Sequence, residues 1–376
     1  MKQADKIRVA VLFGGRSAEH EVSLRSAENV IQYLDPLHFD IIPVGIDKAG
    51  NWFLGKDIFA KSLKHNQVHQ LQHAWFTPEW VGKLATQQPT EVIPHKQTGQ
   101  LFDVVFPVVH GTLCEDGTLQ GLLELAGIPY VGCGVLSSAV GMDKDVSKRF
   151  AMQAGIPVSP FITIKHEQWQ QHPEKFTRDI LEKIALPVFV KPANTGSSIG
   201  ISKVKTVDKL VAAINESFRF DTKVLVEKAL NVRELELAVL ESLEPGADPI
   251  VSVVGEIIPS HEFYSYEAKY TDVNGAELVI PAEISDDIKQ KAQTLAKELF
   301  QVLECEGMAR VDLFLDKDTG QVCFNEINTI PGFTQISMYP KLMAATGYSY
   351  SDLLTHLVRL ALKRHRNKSQ LVRSYE

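Results

Sequence analysis

Two apolar runs late in the chain, ARVDLFLD at 309–316 and VCFNEIN at 322–328, do most to limit the possible folds. Between them lies Asp318-Thr319-Gly320, a tight-turn signal that predicts an antiparallel hairpin. Arg310 and Asp312 are two apart, so they share a face, and so do Glu326 and Asn328 on the second strand. Folding about Thr319 sets Asp312 opposite Glu326 and Arg310 opposite Asn328. Four polar side chains then form one patch on otherwise apolar strands. A structural ion-pair cluster is one reading. The other is a site for a hard cation such as Mg²⁺, since two facing carboxylates repel unless a cation lies between them. Arg310 beside them suits negative charge developing on oxygen.

The rest of the chain must supply something for that hairpin to pack on and face. With 376 residues, two or three domains are expected. An apolar strand at 8–13 is broken by Gly14-Gly15. A helix with 3.6-residue spacing follows at 21–33, then strands at 39–46 and 103–109 and a helix at 118–126. This alternation predicts an open α/β layer ending near Gly132. Residues 52–101 are polar and irregular and read as an insertion; His65, His69 and His73 within it fit a solvated helix face better than a metal site. Beyond Gly132, the pattern gives a helix at 144–154, strands at 160–165, 187–191, 201–204 and 223–226, and a helix at 207–218. It then gives long strands at 234–240 and 250–258, a helix at 286–305, the hairpin, and helices at 337–345 and 350–364. The expected domains are 1–132, 133–227 and 228–376.

Several function classes are excluded on simple grounds. A formal net charge of −7 argues against a general nucleic-acid or anionic-membrane binder. No apolar run approaches the ~20 residues of a membrane span, and residues 1–6 do not form a signal-peptide core. The four cysteines are scattered without a CxxC pair, which predicts reduced thiols in a cytoplasmic protein. The glycine turn at 14–15 lacks both the third glycine of a dinucleotide fingerprint and the Gly-Lys-Ser/Thr of a P-loop. A better phosphate loop is KPANTGSSIG at 191–200. It joins two strands, its glycines let backbone N–H groups approach an anion, Lys191 brings charge, and Ser197 and Ser198 bring hydroxyls. The polar loop at 259–276, with Lys269 and Tyr270, has the size of a lid.

Taken in order along the chain, VLFGGRSAEHEVS, HGTLCEDG, MDK, VKPANTGSSIG, EKAL, EAKY, ARVDLFLD and NEINTIPGFT resemble the ATP-grasp enzymes, specifically the D-alanine–D-alanine ligases. The resemblance implies an α/β ATP-grasp fold in which an N-terminal α/β domain precedes two subdomains that sandwich ATP. It implies that Lys144, Lys191 and Ser198 hold phosphates, that Glu227 and the backbone of Lys228 to Leu230 meet adenine, and that Glu234 meets the ribose. Asp312, Glu326 and Asn328 would hold two Mg²⁺ or Mn²⁺ ions. Glu19 would bind the ammonium of a first D-alanine, joined by Ser197 and Tyr270, with His110 nearby and His20 and Glu21 structural. Arg310 and the Gly332 N–H would stabilise an oxyanion. Ser337 and Met338 would border the carboxylate of the second D-alanine, and Lys269 would touch phosphate from the lid. A homodimer is implied, with no nucleic-acid or membrane partner. Asn194-Thr195 and Ala229 depart from the Arg-Glu and aromatic residues of many relatives. Tyr270 favours an amine as the second nucleophile over D-lactate, while D-serine is less well excluded. A dinucleotide-dependent oxidoreductase and a non-catalytic ATP-binding scaffold are the competing classes.

Overall fold

A computed structural model describes residues 6–54, 102–259 and 276–372. The first unit contains β1 (Ile7–Gly14), α1 (His20–Tyr33), β2 (Phe39–Ile46), β3 (Trp52–Leu54), β4 (Val104–Pro107) and α2 (Thr118–Leu125). Its sheet runs β3-β2-β1-β4, with β1 parallel to β2 and β4. Residues 9–13 of β1 are buried without alternation, as a strand covered on both faces requires. The short strand β3 lies inside the stretch read as irregular. Asp47 creates it: its carboxylate accepts from Ala49 N (2.9 Å) and Asn51 N (2.8 Å), closing a turn that returns the chain antiparallel to β2.

Two helices follow, α3 (Val135–Met142) and α4 (Lys144–Gln153). The sequence reading missed α3, whose short, almost wholly apolar and small-residue run shows no polar face. Both pack on the hairpin strand 322–328, and Cys133, Ala151 and Ile156 join the core of the large C-terminal sheet. Packing thus draws residues 133–156 toward that sheet.

The small central sheet is antiparallel throughout. It contains β5 (Phe161–Lys165), β6 (Val188–Pro192), β7 (Ser202–Val204) and β8 (Lys223–Lys228) in the order β5-β8-β6-β7. Helices α5 (His166–Gln171), α6 (Pro173–Lys183) and α7 (Val207–Ser217) cover it. The first two were not expected. They are mostly polar, and each is anchored by one fully buried residue, Trp169 or Ile180.

The large sheet contains β9 (Val232–Leu240), β10 (Ile250–Val251), β11 (Gly255–Pro259), β12 (Ala276–Val279), β13 (Met308–Asp316) and β14 (Val322–Asn328). Its order is β12-β11-β9-β13-β14, with β10 also on β9. The long strand expected at 250–258 is split at Ser252, whose N–H still donates to Ala238 O (2.9 Å) but whose Oγ, in place of its carbonyl, accepts from Ala238 N (2.9 Å). Helix α8 (Asp286–Val302) covers one face. Helices α9 (Met338–Ala345) and α10 (Tyr350–Ser369) cover the other and share a core with Val9, Val11 and Phe106 of the first sheet. Arg364 on α10 donates to the carbonyls of Tyr130 (2.7 Å) and Gly132 (2.6 Å), fixing the chain where the first unit ends. Among the described residues, no helix is long and apolar enough to cross a membrane.

Candidate active site

The hairpin forms in the predicted register: Asp312 faces Glu326 and Arg310 faces Asn328. Beyond Asp312 the pairing slips by one residue, so Leu313 meets Phe324. This bulge aims the Glu326 end of β14 independently of the turn. Arg310 forks onto Asp312, with Nε to Oδ1 and Nη2 to Oδ2 both at 2.7 Å, and its Nε lies 3.0 Å from Glu236 Oε2. Asn328 Nδ2 donates to Asp312 Oδ2 at 3.0 Å. Burial disfavours a charged guanidinium, but Asp312 and Glu236 outweigh it and hold the Arg310 pKa well above its ordinary value. Glu236 was not singled out from the sequence. Its signal was available, since it lies two residues from Glu234 and therefore on the same face of β9. Among the described residues, no three His, Cys, Asp or Glu side chains form a metal cage. The hairpin's donor set is two carboxylates and an amide, all hard oxygens, which fits Mg²⁺ retaining several waters.

Opposite the hairpin lies a cavity of about 540 Å³. The central sheet supplies one wall through Lys191, Ser198, Glu227 and Lys228. Glu234, Asp312 and Glu326 supply the other. Lys144 joins the two: its Nζ donates to Thr195 O (2.7 Å) in the phosphate loop and lies 3.3 Å from Glu326 Oε2. It opens α4, whose N-cap Asp143 accepts from the N–H groups of Asp145 (3.1 Å) and Val146 (3.0 Å). Leu230 also lines the cavity, while the Lys228 ammonium reaches back to Ala185 O (3.2 Å). The Glu227 carboxylate is held by two lysines, Lys148 and Lys191. Burial alone would raise its pKa, but the two ammonium groups hold it down at about 2.

The phosphate loop is braced from within. Asn194 donates to Asp221 through its backbone N (2.8 Å) and its side chain (3.0 Å), and Thr195 Oγ1 donates to Ile199 O (3.1 Å). The two departures at 194–195 thus hold the loop's own shape. Ser197 and Ser198 have left-handed backbones, with φ of 53° and 59°. Such strain in non-glycine residues persists only where surroundings impose it and often marks a functional site.

At the loop's tip, Ser197 Oγ donates to Glu19 Oε1. Glu19 is buried. A Cβ on Gly111, whose backbone is left-handed (φ 78°), would lie 2.7 Å from Glu19 Oε2, and one on Gly196 2.9 Å from it, so both glycines let the loops close on the carboxylate. His20 Nδ1 donates to Gly15 O (2.7 Å), and Glu21 pairs with Lys48 (2.6 Å). Cavity lining does not include Glu19, His110, Arg310, Asn328, Gly332 or Ser337. Of these, Glu19 meets Ser197, and His110 feels the charges of Glu19 and Arg310.

His110 is buried, and burial holds its pKa below the ordinary value despite the Glu19 charge. A neutral ring must donate from Nδ1 to Ile330 O (3.0 Å), which leaves Nε2 to accept from Ser26 Oγ (3.2 Å). Ser26 Oγ also accepts from Phe333 N (3.2 Å), and Phe333 O accepts from Asn29 Nδ2 (3.1 Å). Both ring nitrogens therefore fasten the Gly332 turn to α1. At that turn Ser337 Oγ accepts from Thr334 N (2.9 Å), and a Cβ on Gly332 would come within 2.8 Å of it. The Met338 side chain is buried, its Cε 2.5 Å from where a Cβ on Gly255 would sit, so its backbone is what can face a ligand. Lys269 and Tyr270, and His65, His69 and His73, lie outside the described residues.

A second carboxyl was missed. Glu115 is buried and accepts from Gly111 N at 2.7 Å. Burial first, and the Glu19 charge second, push its pKa up to about 8. The native state therefore retains a proton that the unfolded chain has released above pH ~4.5. The sign follows: this group makes stability fall as pH rises from about 4.5 to about 8, with a slope of at most ~1.4 kcal/mol per unit. Urea unfolding between pH 5 and 8 should show that slope in the natural protein relative to Glu115→Gln. Parallel curves would remove the assignment.

An ATP-grasp architecture is defined by this arrangement: a three-part α/β molecule with a cleft between two antiparallel sheets, lysines on one wall and a carboxylate hairpin on the other. Sequence profiles described as "D-ala D-ala ligase N-terminus" and "D-ala D-ala ligase C-terminus" match residues 8–133 and 150–359. A D-alanine–D-alanine ligase A from Bradyrhizobium diazoefficiens is 50% identical over 377 residues, covering 99% of each chain. A D-alanine–D-alanine ligase from Caldicellulosiruptor bescii is 48% identical, again covering 99% of each. Among solved structures, the VanG D-Ala:D-Ser ligase from Enterococcus faecalis superposes with a TM-score of 0.78 at 37% identity, covering 95% of this chain and 100% of that one. The D-alanine–D-alanine ligase from Coxiella burnetii gives 0.76 at 35%, covering 98% of both. The chain belongs to the D-alanine–D-alanine ligase family.

Proposed function

We propose that the protein joins two D-alanines at the expense of ATP, forming D-alanyl-D-alanine for peptidoglycan precursors. One observation carries this reading: the Glu19–Ser197 pair closes the end of a cleft whose walls bear phosphate-binding lysines and a carboxylate hairpin. ATP lies between the two sheets, with Glu234 at the ribose, Leu230 beside adenine, and Lys144, Lys191 and Ser198 at the phosphates. Asp312, Glu326 and Asn328 would hold two Mg²⁺ or Mn²⁺ ions, which when bound neutralise charge on the transferring phosphoryl group.

Glu19 pairs with the ammonium of the first D-alanine and points its carboxylate at the γ-phosphate. That carboxylate attacks phosphorus, ADP leaves, and an acylphosphate remains. The amine of the second D-alanine, once deprotonated, attacks the acyl carbon. Arg310 and the Gly332 N–H stabilise the tetrahedral oxyanion, and on its collapse the C–O bond to the phosphoryl oxygen breaks and phosphate leaves with that oxygen. Ser337 and the Met338 backbone border the second carboxylate. An acylphosphate hydrolyses readily, so water must be kept from it; Lys269 would contact the phosphate and Tyr270 would join Glu19 and Ser197, both from outside the described residues. The enzyme works as a homodimer in the cytoplasm; its four cysteines, all unpaired and buried, suit a reducing compartment.

Phosphate release from ATP should be supported by D-alanine and not by L-alanine or D-lactate. D-serine is tested beside them as acceptor, because the VanG structure is that of a D-Ala:D-Ser ligase. Release equal with and without D-alanine would end this reading. Faster release with D-alanine plus D-serine than with D-alanine alone would reassign the second substrate.

A further inference from the structure

Helix α4 carries two lysines one turn apart, Lys144 and Lys148, on one face. Lys144 faces the cleft. Lys148 lies behind it and is fully buried, at 0% exposure. Its ammonium is 3.0 Å from Glu227 Oε1, donates to Phe324 O at 3.2 Å, and lies 5.7 Å from the centre of the Phe324 ring. The other Glu227 oxygen pairs with Lys191. Among the described residues neither oxygen has a further hydrogen-bond partner. The carboxylate is therefore shared between the two lysines alone.

Each contact falls on a different wall. Glu227 and Lys191 belong to β8 and β6 of the central sheet. Phe324 belongs to β14, two residues before Glu326 and beside the bulge that aims it. Its N–H goes to Pro157 O (2.8 Å), so Lys148 and the 157–158 segment together set this part of β14. A buried ammonium is a poor way to gain stability, since desolvation offsets most of the attraction. What it does supply is charge at a fixed place.

We propose that Lys148 is a positioning residue for nucleotide binding: through Glu227 it leaves the Lys191 ammonium uncompensated toward the phosphates, and through Phe324 it fixes the hairpin wall facing them. The inference rests on the reading of the cleft as the ATP seat. The charge balance of this set makes it testable. Lys148 and Lys191 share the one Glu227 carboxylate. Without Lys148 that carboxylate falls to Lys191 alone, and the positive field of this wall toward the phosphates drops by one charge while Lys144 remains.

The test is ADP binding, measured by calorimetry with magnesium, beside the KM for D-alanine at saturating ATP. Lys148→Met should weaken ADP about tenfold and leave the D-alanine KM within about twofold. Lys148→Arg, which keeps a positive charge beside Glu227, should bind ADP within about threefold of the natural protein. An unchanged ADP affinity in a folded Lys148→Met protein overturns the proposal, as does equal weakening toward ADP and D-alanine. Should Lys148→Met not fold, Lys148→Gln decides: it keeps hydrogen-bond donors for Glu227 and Phe324 O without the charge; weakened ADP binding supports the proposal and natural affinity overturns it. A natural protein that bound no ADP would instead remove the reading of the cleft.

Discussion

Replacing Arg310 with methionine is expected to slow turnover about a thousandfold, in line with the loss of one oxyanion donor, and to destabilise the fold by roughly 3–5 kcal/mol. The two effects have separate causes. Arg310 sits between Asp312 and Glu236, and Glu326 adds to the negative field around it. Taking away the guanidinium between Asp312 and Glu236 withdraws positive charge from buried carboxylates, which is where removal of one buried partner does most damage. The kinetic loss has a different origin. A guanidinium already held by two bonds to Asp312 cannot turn away when charge develops on a substrate oxygen, so its field is organised in advance. Arg310→Lys separates the two. A lysine retains the charge and much of the stability, but cannot reproduce the fork. Phosphate release should stay at least a hundredfold down while the urea midpoint recovers by half or more. A methionine variant that turned over at the natural rate would remove Arg310 from the chemistry altogether.

The hairpin was legible because two signals agree there: a turn centred on Thr319 and a period of two in the polar residues. Neither depends on the rest of the chain. The one-residue slip after Asp312 was not legible, since nothing in VCFNEIN distinguishes a bulged strand from a straight one. The split between β10 and β11 was hidden for a similar reason. Ser252 looks like an ordinary strand serine until its hydroxyl is seen to take Ala238's ladder bond. Lys148 and Glu115 illustrate a deeper limit. Each sits in a polar stretch where a charged residue reads as solvent-facing, and only tertiary packing from other elements buries it. Ser26 and Asn29 are two more polar residues on a predicted helix, yet they fasten a turn some 300 residues away in the chain. Met338 shows another limit: the resemblance puts it by the second carboxylate, but only the structure shows that its side chain is buried, which leaves its backbone for that place.

Glu19→Gln carries the other large effect, and it falls on one substrate. The Glu19 carboxylate is buried at the junction of the first unit and the phosphate loop, held by Ser197 and bounded by Gly111 and Gly196. Glutamine fills the same volume and can still accept from Ser197, so the loop should retain its shape. What it loses is the negative charge that meets an ammonium group. An ion pair in a desolvated setting is worth roughly 2–5 kcal/mol when one partner is truncated; with an amide left as a neutral acceptor, the lower end applies. The KM for the first D-alanine should therefore rise about 30- to 100-fold, while the KM for ATP changes less than twofold, because the lysines and hairpin of the cleft are untouched. The same substitution should also lower the pKa of Glu115, since the Glu19 charge is one of the forces raising it. The decline in stability should then begin at the same pH, which the unfolded chain sets, but level off at lower pH in Glu19→Gln than in the natural protein. Equal increases in both Michaelis constants would mean that Glu19 holds the loop rather than the amino acid. An unmoved pH profile would mean that Glu19 and Glu115 do not sense one another.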